Sequence, residues 1–394
     1  MPRYLSGYED PTMRGRVRSA LPLAACGLGL LTGPSCGSNA PGGAEQPEPN
    51  VALKTDVIAS GFDTIWDLTW GPDNAIWITE RPGSISRVDP ISGAVSRVGQ
   101  IAVQEIGEGG LMGLAFHPDF STQPFIYVAH TYSSSSGTRN RVVRVRYDGR
   151  SFGLPEVLID NIPGSSIHNG SRVVVGPDRL LYITTGDASD GANGQNRGST
   201  AGKILRLTLD GAPAPGNPFG TVVYSFGHRN PQGLAFAPNG TLYETEHGPS
   251  DNDEVNRIEM GRNYGWPDVH GRCDGDVGSN EVPFCQANNV AQPLAQWTPT
   301  IAPAGLAYYD ASLIPGWRGS LLFTSLKEAT LFRLTLSPDG RAVTSEERLF
   351  ANRFGRLRDV LVGPDGSVYI ATSNKDGRGT PIPTDDRIIR IRPQ

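Results

Sequence analysis

The sequence offers little from which long helices could be built. No stretch places apolar residues at helical spacing over more than about three turns, and no heptad repeat occurs in the 394 residues. These absences make a helical bundle or an α/β architecture a poor fit. Glycine (49 residues) and proline (32 residues) are plentiful instead, interleaved with short runs of Val, Ile, Leu and Tyr. Because this pattern is typical of many short strands joined by turns, the sequence predicts an all-β fold.

Dense positive charge and nucleotide-type glycine motifs are also missing. The formal net charge is −5, and no dense cluster of Lys and Arg is present, which argues against a nucleic-acid partner. The glycine-rich pieces, such as Gly109-Gly110, do not form a strand-Gly-x-Gly-x-x-Gly-helix unit. A nicotinamide-linked oxidoreductase is therefore set aside.

Cysteine is scarce, since the chain has four and only Cys273 and Cys285 lie beyond residue 36. In an exported protein the natural interpretation of this pair is one disulfide that closes a loop. A metal pair is the alternative. It lacks Cys-x-x-Cys spacing, and His270 is the only nearby extra ligand.

The N-terminal segment has the pattern of an export signal. Arg14, Arg16 and Arg18 form a basic segment before an apolar run from Ala20 to Leu31, which is too short to span a membrane. We expect residues 1–36 to be a signal peptide and the protein to be periplasmic or extracellular. Residues 37–50 contain no hydrophobic residue larger than Ala and predict a flexible linker. Residues 51–394 remain for the folded domain.

Two cysteines in the signal region are candidates for a lipid anchor. Cys26 follows Leu23-Ala24-Ala25, which resembles a bacterial lipobox. Cys36 is better placed after the apolar run, but the triplet before it is a poorer match. Plain secretion is the alternative, and such a lipid is the only membrane attachment that the sequence suggests.

A short sequence motif, which we call a phrase, recurs along the rest of the chain. A turn containing Pro-Asp, Pro-Asn or, once, Pro-Gly precedes an alternating strand with an aromatic residue. The six copies, the fifth of them degenerate, begin at Gly71, His117, Gly176, Ala237, Ile314 and Gly363. Proline presets such a turn and Asp or Asn with Gly completes it, so each phrase predicts a hairpin within one structural unit. Spacings of roughly 46 to 78 residues suit the blades of a propeller.

The six phrases thus predict a six-bladed β-propeller of four-stranded antiparallel blades. In a propeller the inner strands converge on a central axis, and loops from every blade meet on one face. A site on that face can draw residues from the whole sequence. We therefore expect functional groups to be scattered along the chain, each shortly before or after one of the phrases.

Polar residues of this kind precede the third and fourth phrases. His168 stands in Ser-Ser-Ile-His-Asn-Gly, where a structural or surface role is the alternative to a functional one. The segment 226–233, Phe-Gly-His-Arg-Asn-Pro-Gln-Gly, packs a cation and two amides around a proline. The alternative there is structural, with Arg229 bonded to carbonyl groups and Asn230 capping a turn.

An acidic segment follows the fourth phrase. Residues 246–254 contain four acids, together with Gly248 and Pro249. Carboxylates and main-chain carbonyls are the ligands that calcium takes, although the spacing is not that of an EF-hand. A solvated acidic loop is the alternative.

Cations mark the last two phrases. Lys327 follows the fifth, and Arg356 and Arg358 precede the sixth with the spacing of residues on one face of a strand. A solvated stripe is the alternative. Together with Arg229 they would make an anion-binding mouth in a protein that is acidic overall.

These segments resemble the soluble PQQ-dependent aldose sugar dehydrogenases of the glucose/sorbosone dehydrogenase family. The resemblance covers nearly the whole chain after the signal segment. The matching segments, in the family's order, are 79–83 (TERPG), 107–111 (GEGGL), 117–120 (HPDF), 168–170 (HNG), 229–233 (RNPQG), 246–249 (EHGP), 253–254 (DE), 263–267 (NYGWP), 325–327 (SLK) and 356–359 (RLRD).

The resemblance implies a bound pyrroloquinoline quinone (PQQ) and calcium. PQQ is a flat quinone with three carboxylates. The cofactor positions of the family are here Glu108, Arg229, Asn230, Gln232, Lys327, Arg356 and Arg358. The calcium beside the quinone is bound in the family by carbonyls that are here those of Gly248 and Pro249, and a second calcium site by the positions that are here Glu254 and Tyr264.

The resemblance also implies a reaction. His168 falls on the family's general base, which removes the proton of the anomeric hydroxyl while hydride passes to the quinone. The products are an aldonolactone and reduced PQQ. The expected partner is a small-molecule aldose, and the sequence does not identify the electron acceptor.

Two departures from the family bear on specificity. Members specialised for glucose carry Asp immediately before the catalytic His and Gln in the glycine-rich loop, whereas this chain has Ile167 and Glu108. Ile167 cannot form a hydrogen bond with a sugar hydroxyl. We therefore expect a broad range of aldoses rather than a preference for glucose.

Two other functions fit a propeller. A non-catalytic extracellular propeller could bind a ligand or a protein on its loop face, because fold alone does not prove catalysis. A metal-dependent lactonase-type hydrolase would hold a central divalent ion with side-chain carboxylates and use it to activate water. The co-occurrence of His168 with the cation set favours the dehydrogenase.

Overall fold

A computed structural model of the protein describes residues 51–394. The predicted signal peptide (1–36), with Cys26 and Cys36, and the predicted linker (37–50) lie outside the described residues, and these assignments stay predictions. Among residues 51–394 no helix is long and apolar enough to cross a membrane.

The described chain consists mainly of short strands. In the first half these are β1 (Leu53–Ser60), β2 (Ile65–Trp70), β3 (Ile76–Glu80), β4 (Ser84–Val88), β5 (Val95–Gln100), β6 (Leu111–Phe116), β7 (Phe125–Ser134), β8 (Gly137–Arg146), β9 (Glu156–Pro163), β10 (Val173–Val175), β11 (Leu181–Thr185) and β12 (Lys203–Leu207). In the second half they are β13 (Val223–Phe226), β14 (Pro231–Phe236), β15 (Leu242–Glu246), β16 (Asp253–Ile258), β17 (Ala295–Trp297), β18 (Pro303–Tyr309), β19 (Ser320–Ser325), β20 (Leu331–Leu336), β21 (Val343–Leu349), β22 (Leu357–Val362), β23 (Val368–Thr372) and β24 (Arg387–Pro393). Two short helices, α1 (Ala192–Gln195) and α2 (Glu281–Asn288), lie in loops.

The strands form six four-stranded antiparallel sheets. Five sheets follow chain order, from β2–β5 to β18–β21, and the sixth has the order β1-β24-β23-β22. The first strands of successive sheets (β2, β6, β10, β14, β18 and β22) pack against one another in a closed ring. The prediction of a six-bladed β-propeller with four-stranded blades is confirmed.

The ring is closed by the two ends of the described chain. β1 pairs antiparallel with β24, from Leu53 opposite Pro393 to Ser60 opposite Arg387. The first strand of the domain thus supplies the outermost strand of the last blade. This pairing covers the edge that β24 would otherwise leave open in the last blade.

Burial follows the position of a strand within its blade. Each middle strand is covered on both faces by neighbouring blades, and every residue of β11 and β23 is buried. The outermost strand β21 is instead largely exposed. Continuous apolar runs in the middle of each blade therefore build the core, because packing on both faces removes the usual alternation.

The six proline-containing phrases lie where the sequence predicts. Each connects the first and second strands of one blade, as Gly71-Pro72 does between β2 and β3 and Gly363-Pro364 between β22 and β23. Since the strands are antiparallel, the first strand of each blade starts, and the second strand finishes, at the end of the blade opposite to these turns. His168 and the cations of the last two phrases lie toward that end.

A disulfide joins Cys273 and Cys285 across a long insertion between β16 and β17. It ties the loop that follows His270 to the middle of α2. This confirms the predicted disulfide, and a metal pair at these cysteines is excluded because both sulfurs are bonded to each other.

Candidate active site

A cavity of about 360 Å³ opens on the axis, at the end of the propeller where the first strands start and the second strands finish. Five of the six blades contribute to its wall. The lining side chains are Arg81, Glu108, Gln232, His247, Ala302, Leu326, Lys327, Arg356, Arg358, Asp376 and Arg378, with Gly107 and Gly377 between them. Five residues predicted for the cofactor therefore share one cavity although they are spread over much of the chain.

The cavity wall carries an excess of positive charge. Five cations (Arg81, Lys327, Arg356, Arg358 and Arg378) face two carboxylates, Glu108 and Asp376, which leaves a formal charge of +3. His247 adds no charge at neutral pH, because burial lowers the pKa of its imidazole. Such a wall selects a ligand with several negative charges.

Arg358 is the most deeply placed of these cations. It is 6% exposed, its Nη1 donates to Gln232 Oε1 at 2.9 Å, and its Nε is buried without a hydrogen-bond partner. Burial lowers the pKa of Arg358 to about 10, since desolvation outweighs the attraction of Asp376 and Glu108. No carboxylate of residues 51–394 lies within ion-pair distance of it. An anionic ligand would satisfy this group.

The other two predicted cations near Arg358 have polar partners. Arg356 immediately precedes β22 and binds Asp376 through Nε and Nη2, at 2.8 and 2.7 Å. Lys327 Nζ donates to Thr300 Oγ1 at 2.7 Å. Both side chains line the cavity and keep donors that a ligand can use.

Arg229 and Asn230 lie behind the wall rather than in it. Arg229 Nη1 donates to the carbonyl oxygens of Gly248 and His247, at 2.7 and 3.1 Å. Asn230 Oδ1 accepts from the Gly170 amide and from Gln232 Nε2, at 3.2 and 3.0 Å. The Arg-Asn-Pro-Gln segment thus ties the cavity to the loop of His168.

His168 forms a dyad with a carboxylate that the sequence did not single out. His168 Nδ1 lies 2.8 Å from Asp187 Oδ1. Asp187 also accepts the Ser189 amide at 2.7 Å and Trp266 Nε1 at 2.9 Å. Because a carboxylate with these donors acts as an acceptor, Nδ1 carries the proton and Nε2 keeps its lone pair. His168 therefore has the tautomer of a general base.

The four residues predicted as metal ligands surround a second, smaller cavity next to the first. At Gly248 an added Cβ would lie 1.9 Å from Asp251 O, so only glycine fits this turn. The Arg229 guanidinium already binds the Gly248 carbonyl. The tight turn and its carbonyl oxygens suit a cation.

Glu254 and Tyr264 differ in what they offer to such a cation. Burial, reinforced by the charge of Glu246, raises the pKa of Glu254 to about 8. Its carboxylate accepts the Gly271 amide at 2.8 Å. The hydroxyl of Tyr264 donates to Arg257 O and accepts the Glu259 amide, both at 2.8 Å. A ligand atom from Tyr264 would therefore be its main-chain carbonyl.

Five residues of the two sites were missed by reasoning from the sequence: Arg81, Asp187, His247, Asp376 and Arg378. All follow the second strand of a blade, after β3, β11, β15 and β23. The antiparallel geometry places these loops beside the starts of the first strands. The signal that could have found them was charge directly after the strand that follows each phrase.

Comparison with known proteins places the chain in a family. The sequence profile of the Glucose / Sorbosone dehydrogenase family matches residues 62–388. Quinoprotein glucose dehydrogenase B of Acinetobacter calcoaceticus is 34% identical, over 80% of this chain and 84% of that protein. Aldose sugar dehydrogenase YliI of Escherichia coli is 29% identical, over 82% of this chain and 91% of that protein.

A solved structure supports the same family assignment. The PQQ-bound form of aldose sugar dehydrogenase from Streptomyces coelicolor superimposes with a TM-score of 0.77 at 36% identity, covering 88% of this chain and 100% of that one. Its fold and the match over most of the described domain confirm the family resemblance found in the sequence. The chain belongs to the glucose/sorbosone dehydrogenase family.

Proposed function

We propose that this protein is a PQQ- and calcium-dependent dehydrogenase that oxidises aldoses at the anomeric carbon to aldonolactones. The observation that carries the proposal is the buried, carboxylate-free Arg358 in a cavity of formal charge +3. Relatives named quinoprotein glucose dehydrogenase and aldose sugar dehydrogenase support it.

The cofactor fits the wall by charge. PQQ has three carboxylates, which match the excess of three positive charges on the lining residues. Arg358, with an unpartnered Nε, would bind one carboxylate at the floor. Arg356 and Lys327 would bind others at the sides. When bound, the quinone supplies a two-electron acceptor, which no amino-acid side chain provides.

The His168–Asp187 dyad would perform the proton transfer. His168 Nε2 takes the proton of the anomeric hydroxyl, and Asp187 stabilises the imidazolium that forms on His168. A quinone bound in the cavity would accept the hydride of the C–H bond. The sugar carbon thereby loses two electrons and becomes the lactone carbonyl.

Calcium would be bound by carbonyl oxygens of Gly248 and Pro249, with a further ion at Glu254 and Tyr264. Support comes from the tight oxygen-lined turn at Gly248 and from the convergence of all four residues on one cavity. Arg229 would have to move from the Gly248 carbonyl to the cofactor when calcium binds.

The substrate range follows from Ile167, which is half-buried beside the base. An aliphatic side chain there removes one hydrogen bond that could select among sugar hydroxyls. We therefore propose a broad aldose specificity. Kinetics that favour glucose over other aldoses by more than about a hundredfold would contradict this, because discrimination of that size requires polar contacts that Ile167 cannot make.

The hydrolase alternative is less well supported by the cavity. Its two carboxylates already bind arginines, Glu108 through Arg378 and Asp376 through Arg356. A central divalent ion would have to displace both. Binding of PQQ followed by turnover of an aldose would distinguish the dehydrogenase from a non-catalytic binding module.

The test is reconstitution of the protein with PQQ and calcium. Reduction of an artificial dye is followed with a panel of aldoses, and His168→Gln serves as control. We expect turnover that requires PQQ, calcium and His168 together. Absence of PQQ binding at micromolar concentration would favour the binding module, while metal-dependent lactone hydrolysis without quinone would favour the hydrolase.

Export of the chain, with or without a lipid anchor, belongs to the same proposal. The disulfide between Cys273 and Cys285 supports it, because such bonds form and persist in oxidising compartments. Metabolic labelling with a fatty acid in cells, comparing Cys26→Ser with Cys36→Ser, would identify the lipidated residue. No labelling in either the parent or the variants would indicate plain secretion.

A further inference from the structure

One ion pair crosses the mouth of the cavity between distant parts of the chain. Arg378, in the loop between β23 and β24, donates from Nη1 to Glu108 Oε1 at 2.9 Å. The two residues are 270 positions apart and connect the sixth blade to the loop before β6. Both line the cavity.

The Arg378 loop is anchored to the cation set. Asp376 binds Arg356 with one oxygen and accepts the Arg378 amide with the other, at 2.9 Å. Between them Gly377 adopts φ +87°, a conformation that favours glycine. The backbone thus turns so that the Asp376 carboxylate faces Arg356 and the Arg378 guanidinium reaches Glu108.

Glu108 connects this pair to the base. Its Oε2 accepts the backbone amide of His168 at 3.3 Å, and its own amide donates to Ser166 O at 2.7 Å. Burial raises the pKa of Glu108, but the charges of Arg378 and Arg358 oppose this effect, and the pKa lies below its usual range. Glu108 is therefore a carboxylate at neutral pH.

A carboxylate in this position conflicts with the proposed cofactor. PQQ is an anion, and a like charge within the same cavity repels it. Resting on the proposed function, we propose that Arg378 is a positioning residue that neutralises Glu108, so that the two act as one charge-compensated unit. The unit lets Glu108 hold the His168 loop without weakening retention of the anionic cofactor.

A plain surface ion pair is the competing explanation. Arg378 is 60% exposed and Glu108 22% exposed, and exposed pairs contribute little to stability. A pair of that kind predicts small, independent effects of each substitution. Charge compensation predicts instead that removing Glu108 reverses the damage caused by removing Arg378.

The experiment measures PQQ affinity of the calcium-loaded protein by calorimetry, without turnover. The variants are Arg378→Ala, Arg378→Lys, Glu108→Gln and the double variant Glu108→Gln/Arg378→Ala. Arg318→Ala is the matched control, because Arg318 forms a similar exposed pair with Asp310, at 3.1 Å, away from the cavity. The melting temperature of each variant without PQQ checks its fold.

We expect Arg378→Ala to weaken PQQ binding about tenfold, the effect of one uncompensated charge nearby. Glu108→Gln should bind as well as the parent or more tightly, and the double variant and Arg378→Lys should return to within about threefold of it. A double variant as weak as Arg378→Ala, or an Arg378→Ala variant that binds like the Arg318→Ala control, would overturn the inference. A parent protein that does not bind PQQ would instead reject the proposed function, and the inference with it.

Discussion

At the scale of single residues, the dyad shows how one carboxylate determines what a histidine can do. Asp187 receives three donors, one of them from His168 Nδ1. His168 itself adopts φ +60°, a strained conformation for a residue with a Cβ. Its backbone amide donates to Glu108. Strain that is held by neighbours on both sides is typical of a functional position.

Asp187→Asn should lower kcat and leave PQQ affinity unchanged. The amide can donate to His168 Nδ1 and would then favour the tautomer with a proton on Nε2, which cannot act as a base. A loss of about a hundredfold or more in kcat is expected, because general-base catalysis contributes that much. Steady-state kinetics together with PQQ titration measure the two quantities. Near-normal kcat in Asp187→Asn would show that Asp187 does not set the tautomer.

A second carboxylate, Asp359, predicts a pH effect on stability. Asp359 and Asp67 share the guanidinium of Arg172, at 3.0 and 2.7 Å. With both carboxyls ionised, this buried cluster of three side chains carries one excess negative charge. Burial and the charge of Asp67 raise the pKa of Asp359 from 3.8 to about 6. The folded state therefore binds this proton more tightly than the unfolded chain does, and the contribution of Asp359 to stability falls as pH rises through that range.

The corresponding measurement is the free energy of unfolding in urea between pH 4 and 7. The free energy of unfolding of the parent should fall relative to that of Asp359→Asn as the pH rises from 3.8 to about 6. Ser345→Ala, on the exposed β21, removes no titratable group and is a control whose stability difference from the parent should not change with pH. A pH-independent difference for Asp359→Asn would contradict the raised pKa.

At the scale of elements, the sequence predicted the turns, but it predicted only some of the functional residues in the loops. Each proline phrase carries its own local signal, and it identified the hairpin of every blade because turn chemistry is set by neighbouring residues. His168 was found because it precedes a first strand in a recognisable segment, and Arg358 because it lies near the start of another first strand, β22. Asp187 and Arg378 lie after second strands in loops without a motif, and their partners are 19 and 270 positions away. The first pairing depends on how the third blade folds and the second on closure of the ring, and local patterns encode neither.

The strand β1 predicts a difference between two N-terminal truncations. A chain that begins at residue 51 keeps β1, whereas one that begins at residue 61 leaves β24 as an open edge of the last blade. The shorter chain should melt at a lower temperature and aggregate more readily, because it exposes unpaired backbone and core residues. Thermal unfolding with light scattering measures both effects. Equal melting temperatures would show that closure of the ring does not depend on β1.

At the scale of the whole molecule, an acidic protein encloses a positive cavity. The chain has a formal charge of −5, while the lining of the axial cavity has +3. Because the rest of the protein is acidic, the axial cavity is the part of the described structure that attracts anions most strongly. It also explains why composition alone did not indicate an anionic ligand, since the responsible cations are spread from Arg81 to Arg378.

Cofactor binding should stabilise the whole domain. Because PQQ is expected to bind only the folded ring, excess PQQ raises the free energy of unfolding by about 2.7 kcal/mol at a hundred times its Kd. The melting temperature should rise with PQQ concentration and fall again when calcium is removed with a chelator. In Arg358→Gln the shift should be much smaller. A melting temperature that does not respond to PQQ in the parent protein would contradict cofactor binding in the cavity.

The most direct test of the account is a single turnover without any external acceptor. The protein is loaded with PQQ and calcium under anaerobic conditions, an aldose is added, and the absorption spectrum of the bound quinone is followed. We predict rapid conversion to the reduced spectrum in the parent protein, and an oxidised spectrum that persists in His168→Gln although PQQ stays bound. Bound PQQ that no aldose reduces, or equally fast reduction in His168→Gln, would contradict the assignment of this cavity and its dyad to sugar oxidation.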